Sequence, residues 1–248
     1  SNGDVVTNTG NDNSFQINGL DDNLAAGTDV TPDVTLQSGQ IKDSNSNTLG
    51  NNGPSVTATD KAGPIPLIAT TDDTDADAQV NVVTVTMSEA IDDDDTNSGG
   101  TADITDSDDD EFTIGGGGSV GATETGATSD DNTVLLTGVG SFPVTADRSI
   151  TMAASGTAGQ ISDSGGNTVT SDISVTSIED APPSLDSATT ADSNDDGITD
   201  QITATFTENI DDSASTLDDT AFSVESATIT DVTTGSGSDD TDVVISVS

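Results

Sequence analysis

The stretch Asp192-Ser193-Asn194-Asp195-Asp196-Gly197-Ile198-Thr199-Asp200 carries the sharpest chemical spacing in the chain. Its D-x-N-x-D-G-x-x-D pattern turns alternate oxygens toward one point, and the glycine permits the tight turn that a calcium loop requires. Asp192, Asn194, Asp196, Asp200 and the Ile198 carbonyl are the predicted ligands. Where an EF-hand supplies its bidentate glutamate this chain has Thr203, which reads as strand, so the loop is EF-like without the hand. Another carboxylate must close the site, with Glu179 or Asp180 of the preceding linker as the expected source. A second loop keeps oxygens at alternate positions in Asp73, Asp75, Asp77 and Asn81, but has Ala78 in place of the glycine. Calcium, together with other cations, is the expected cofactor.

Composition removes most other chemistry. The 248 residues hold 46 Asp plus Glu against 3 Lys plus Arg, with no His and no Cys, for a formal net charge of -43. Without His or Cys there is no Ser-His-Asp triad, no thiol nucleophile and no zinc site of the usual ligands, so no catalytic residue is expected and the chain does not read as an enzyme. A field of this sign repels phosphates, which argues against nucleic acid and anionic membrane surfaces as partners. Asp92 to Asp95 and Asp108 to Asp110 read as solvated surface, because adjacent residues on an extended chain point to opposite sides. Such surfaces suit concentrated salt, where the Debye length falls to about 3 Å at 1 M. Gly115 to Gly118 lack the lysine of a phosphate loop, and no Trp or Tyr offers a sugar-stacking surface beside paired carboxylates. Lys42 and Lys61 read as exposed charges, and no N-x-Ser/Thr sequon occurs.

With 30% hydrophobic and 2% aromatic residues, composition alone points toward disorder. Pattern points the other way. Val80 to Met87 (VNVVTVTM), Thr133 to Val139 (TVLLTGV) and Ile202 to Phe206 (ITATF) are short β-branched runs bounded by Asp, Gly, Asn and Ser, and read as strands of a sandwich. No run approaches the 18 apolar residues of a membrane span, so no membrane insertion is expected within this segment.

The elements repeat. Ala62 to Asp93 matches Ala181 to Asp212 without a gap at an offset of 119, pairing Asp73 with Asp192 and Glu89 with Glu208. Phe15 to Leu20 matches Val134 to Val139, Gly39-Gln40-Ile41-Lys42-Asp43 matches Gly159-Gln160-Ile161-Ser162-Asp163, and Asp242 to Ile245 matches Thr133 to Leu136. Residues 63–181 are therefore expected to form one complete unit, 1–62 the C-terminal half of a preceding unit and 182–248 the N-terminal half of a following one. Phe112 pairs with Phe222 at a shorter offset, which predicts an acidic insertion, an exposed loop, near 96–110. Half units leave sheet edges and apolar faces uncovered, so each must find its missing strands.

Pro182-Pro183, the run Ile202-Thr203-Ala204-Thr205-Phe206-Thr207-Glu208, Phe222-Ser223-Val224 and the late G-Q-I-x-D-S-x-x-N segment resemble the tandem bacterial Ig-like domains of S-layer proteins and large surface adhesins. The resemblance implies an all-β chain of tandem Ig-like Greek-key β-sandwiches, here one complete and two half domains completed by neighbouring copies. It implies an extracellular, cell-surface structural protein that forms a filament, lattice or stalk, with copies of itself head to tail as partners and cations as stabilisers. The alternative is an adhesive binding module that recognises carbohydrate (cell-surface glycans) or protein on another cell.

Overall fold

The computed structural model describes residues 4–6, 16–18, 27–39, 41–92, 111–126, 128–140, 142–154, 161–211, 219–235, 237 and 239–248. The insertion expected near 96–110, with Asp93 to Asp95 and Asp108 to Asp110, lies outside these residues. The described chain is all-β. Its strands are β1 (Asp4–Val6), β2 (Gln16–Asn18), β3 (Asp33–Thr35), β4 (Ser55–Thr57), β5 (Pro66–Asp72), β6 (Val82–Met87), β7 (Phe112–Ile114) and β8 (Ala122–Thr125). There follow β9 (Thr133–Thr137), β10 (Ser149–Met152), β11 (Ile173–Glu179), β12 (Leu185–Ala191), β13 (Gln201–Phe206), β14 (Ile229–Thr234) and β15 (Asp242–Val247). A single 3-10 turn, Gly115–Gly117, interrupts them. Among the described residues no helix is long and apolar enough to cross a membrane.

The middle of the chain builds one seven-stranded sheet in the order β7-β10-β11-β5-β6-β9-β8. All its neighbours are antiparallel except β11 and β5, which run parallel with Ser177 opposite Ala69. Alternation sets which face is inward: Val83, Val85 and Met87 of β6 are buried while Val82, Thr84 and Thr86 are half-buried. Phe112, Ile150 and Met152 from one arm join Val83, Val85, Val134 and Leu136 from the other in a single core. The two arms thus enclose one apolar interior, an arrangement compatible with a β-sandwich.

The C-terminal sheet, β12-β13-β15-β14, repeats the β5-β6-β9-β8 arm register by register. Thr189 opposes Thr203 as Thr70 opposes Thr84, and the ladder slips between Leu185 and Ser187 as it does between Pro66 and Ile68. Val243 opposes Ala204 as Val134 opposes Val85, and Thr233 opposes Val244 as Glu124 opposes Leu135. Before β5, the β3–β4 hairpin sets Val34 opposite Val56 as β10–β11 sets Ile150 opposite Val175. The bridge Lys42 to Thr48 likewise repeats Ser162 to Thr168.

What the outer segments lack is cover. Ile150 and Ile161 are 0% and 3% exposed, whereas their counterparts Val34 and Ile41 are 39% and 40% exposed. β5 buries Pro66, Ala69 and Thr71, while β12 is exposed along its whole length. Among the described residues the C-terminal core holds only Ala204, Val243, Ile245 and Val247 as fully buried apolar residues. Phe112-Thr113-Ile114 becomes a strand beside β10, yet Phe222-Ser223-Val224, with the same alternation, does not. Among the described residues the C-terminal segment has no counterpart of β10 for it to pair with.

Candidate cation sites

The two acidic loops predicted as calcium sites are one structure built twice. In the first, the amides of Asp77 and Ala78 donate to the Asp73 carboxylate at 3.2 and 2.8 Å, and that of Gln79 to Asp77 at 3.0 Å. In the second, the amides of Asp196 and Gly197 donate to Asp192 at 3.1 and 2.6 Å, and that of Ile198 to Asp196 at 2.9 Å. Asn81 closes the first by accepting from the Thr74 amide at 3.0 Å, and Asp200 closes the second by accepting from the Ser193 amide at 2.7 Å. Asn194 accepts from the Asp196 amide at 2.9 Å. The Ser193 bonds hold the Asp200 carboxyl below its ordinary range.

Ala78 and Gly197 occupy the same left-handed position, with φ of 70° and 84°. The alanine therefore adopts the turn that the pattern reserves for glycine, at the steric cost of its Cβ.

The loops differ in how their carboxylates are placed and in their neighbours. Asp73, Asp75 and Asp77 each place a carboxylate oxygen within 4.8 Å of the others. In the second loop Asn194 stands where Asp75 does and Asp200 where Asn81 does, so each set holds three carboxylates and one amide, differently placed. Partial desolvation, with Asp73 and Asp77 alongside, pushes the exposed Asp75 carboxyl up. Three crowded carboxylates relieve their repulsion by taking up a proton or a hard cation, and an all-oxygen set suits the latter.

The junction with the following unit also falls on the first loop. Ser184 Oγ donates to Asp73 at 3.2 Å, and Asp73 is buried. A cavity of about 290 Å³ beside it is lined by Ala78, Gln79, Pro143, Asp186, Phe206 and Thr207 among others. The Asp192 loop is exposed except for Asp192 and Asp200, which are half-buried. Glu179, expected to reach toward it, lies instead close enough to Glu208 to repel its charge.

A third acidic cluster was not visible as a motif. Asp60, Glu89 and Asp163, far apart in sequence, bring one oxygen each within 4.8 Å, with Glu89 and Asp163 buried. Thr28 hydrogen-bonds to Glu89 and, at 2.7 Å, to the Ser88 hydroxyl, so the preceding segment caps the cluster. Burial raises the Glu89 carboxyl, against the Thr28 bond, with Asp60, Asp163 and Asp29 adding repulsion. Burial also acts on Asp163, but bonds from Asn167, Asp60 and Gly165 outweigh it and hold that carboxyl low. The signal in the sequence was indirect: glutamate is rare in this chain, yet Glu89 recurs as Glu208 at the repeat offset, and Asp163 recurs as Asp43.

The cluster is incomplete at the next junction. Glu179 and Glu208 repeat Asp60 and Glu89, and one oxygen of each is buried without a hydrogen-bond partner among the described residues. Burial, then Glu179, raises the Glu208 carboxyl. No protein-family model, no curated protein and no solved structure matches the chain.

Proposed function

We propose that this is an extracellular structural protein, building a cell-surface filament, lattice or stalk from tandem Ig-like Greek-key units that complete one another head to tail. One observation carries the reading. Ile150 and Ile161, covered in the middle unit, have exposed counterparts in Val34 and Ile41 of the first outer segment, and β12 of the last is exposed along the length that β5 partly buries. Each outer segment repeats the arm the other lacks. Exposed strand edges and apolar faces of this kind favour association. The formal charge of -43 opposes it, so cations are part of the reading, and the exterior of a cell in concentrated or calcium-rich salt supplies them.

Calcium is the cation we assign to the Asp73, Asp75 and Asp77 loop, with the Asp192 loop as a second site whose carboxylates are less closely grouped. Titration calorimetry should register binding that Asp75→Asn weakens by roughly tenfold, about 1.4 kcal/mol. No calcium heat in the unsubstituted chain would remove this assignment.

Negative-stain microscopy with light scattering tests the assembly. In about 2 M salt with calcium, uniform polymers are expected, and in low salt with a chelator they should shorten or vanish. A chain that stays monomeric under both conditions contradicts the proposal.

A further inference from the structure

Within the middle unit, one strand pair joins the arms: β11 beside β5, parallel, with Ser177, Ile178 and Glu179 opposite Ala69, Thr70 and Thr71. The amide of Ser177 donates to the Arg148 carbonyl at 2.7 Å, tying β11 to the start of β10. The first outer segment already holds the equivalent arm in the equivalent shape. The Ala58 amide donates to the Pro32 carbonyl at 2.9 Å, and Ser55-Val56-Thr57 repeats Ser174-Val175-Thr176. The last segment holds the equivalent of β5 in β12, carrying the same slip in its ladder and, among the described residues, no strand on its outer edge.

From this internal template, and resting on the head-to-tail reading above, we infer that the strand edge of β12 takes residues 33–60 of a second copy as a parallel partner in one register. Ala58 lies opposite Ala188, Thr59 opposite Thr189 and Asp60 opposite Thr190. Val34 and Val56 of the incoming copy then cover the inner face of the C-terminal sheet as Ile150 and Val175 cover that of β6 and β9. Asp43 of the incoming copy arrives beside Glu179 and Glu208, completing the triad that Asp163 completes with Asp60 and Glu89.

Two details distinguish this joint from its template. The β1–β2 hairpin repeats β8–β9, and the receiving sheet already holds that place with β14–β15, so residues 4–18 of the incoming copy are surplus. At Gly63 an added Cβ would lie 2.5 Å from the Thr168 carbonyl carbon, and the counterpart of Gly63 is Pro182. The Thr48 loop of the incoming copy therefore sits farther out, and Pro182→Gly should tighten the joint.

The chain has no cysteine, so introduced thiols report cleanly. Thr59 and Thr189 are both exposed, which lets Thr59→Cys and Thr189→Cys fold as the parent does. Mixed and oxidised in high salt, the two single variants should give a covalent dimer containing one of each. The double variant should give a ladder of multimers. Thr57→Cys, two residues out of register and about 6.6 Å away along the strand, should cross-link to Thr189→Cys at less than about one-tenth of that yield. Pro182→Gly should raise the yield at least twofold, and removal of residues 1–20 should leave it within twofold. Equal yields from positions 57 and 59, or polymers by light scattering with no 59–189 link, would overturn the register while leaving assembly intact. Monomers throughout would overturn the assembly as well. A 59–189 disulfide confined to one chain in the double variant, with no link in the mixture, would show that the chain closes on itself and refute the proposal.

Discussion

The loops at Asp43 and Asp163 make the same bonds and live in different worlds. Asp43 accepts from the amides of Asn45 and Asn47 at 2.9 and 2.8 Å and from the Asn47 side chain at 2.9 Å. Asp163 accepts from Gly165, Asn167 and the Asn167 side chain at 2.9, 2.7 and 2.7 Å. Both carboxyls are held low, Asp43 by Asn47 first of all, and Asp163 by its bonds acting against burial. Yet Asp163 is buried against Asp60 and Glu89, and Asp43 is exposed. Ten residues are enough to shape such a loop, because its hydrogen bonds span only two and four positions. What the loop contributes depends on the arm that covers it, and only the middle unit has that arm.

The largest expected contrast lies in the apolar pair that tracks these loops. Ile150→Ala opens a cavity in a closed core and should cost about 2–5 kcal/mol, whereas Val34→Ala in the unassembled chain should stay within about 0.5 kcal/mol. Thermal unfolding in dilute protein measures both. In polymer-forming salt the Val34 variant should lose assembly, and equal behaviour of the two under dilute conditions would mean that the first segment is already covered.

Next in size are the loop aspartates. Asp163→Ala removes the buried acceptor shared by the amides of Gly165 and Asn167 and should cost about 1–3 kcal/mol. Asp43→Ala lets water replace the carboxylate and should cost less than about 1 kcal/mol. Denaturant midpoints decide, and a reversal of the order would separate burial from energy at this position.

The pH dependence sharpens the comparison at Glu89. Its folded pKa is raised, so its favourable contribution is whole below the ordinary glutamate range and is lost as pH rises through the raised value. Asp163 and Asp131 are lowered, so theirs is whole above the ordinary aspartate range and is lost as pH falls through the lowered values. In low salt the melting temperature should therefore rise on mild acidification from neutrality and then fall in strong acid. Glu89→Gln should lift the neutral value by a few degrees, roughly 1 kcal/mol, and reduce the rise to the part that the raised Asp75 and Glu208 carboxyls contribute. It should leave the acid limb in place. An unchanged profile in this variant would assign the rise to general surface charge instead.

The smallest effect distinguishes the two acidic loops. Ala78→Gly should stabilise the chain by about 0.5–1 kcal/mol, and Gly197→Ala should cost a similar amount. Paired melting curves suffice to test this, and a destabilising Ala78→Gly would mean that the lost methyl packing outweighs the turn.

Much of the strand pattern was legible locally. VNVVTVTM alternates, and Val83, Val85 and Met87 are the buried set. The repeat offset carried further, since β12 and β13 copy β5 and β6 in register and in the place of their ladder slip. The alternating oxygens of the Asp73 and Asp192 loops follow from spacing as well, because every bond that shapes them is short in sequence.

Three things needed the folded chain. Phe112-Thr113-Ile114 and Phe222-Ser223-Val224 carry the same signal, and only the first is a strand, because a strand exists by virtue of its neighbour. Which acidic loop meets a junction was decided by Ser184 reaching Asp73, a contact across 111 residues. Asp60, Glu89 and Asp163 converge from the linker, the end of β6 and the loop before β11, with no motif joining them. Local spacing determines loops and strand faces, since those hydrogen bonds and side-chain periods span a few residues. Burial, and with it the energy and protonation of each carboxylate, is set by chain segments that meet only when distant arms close over one core.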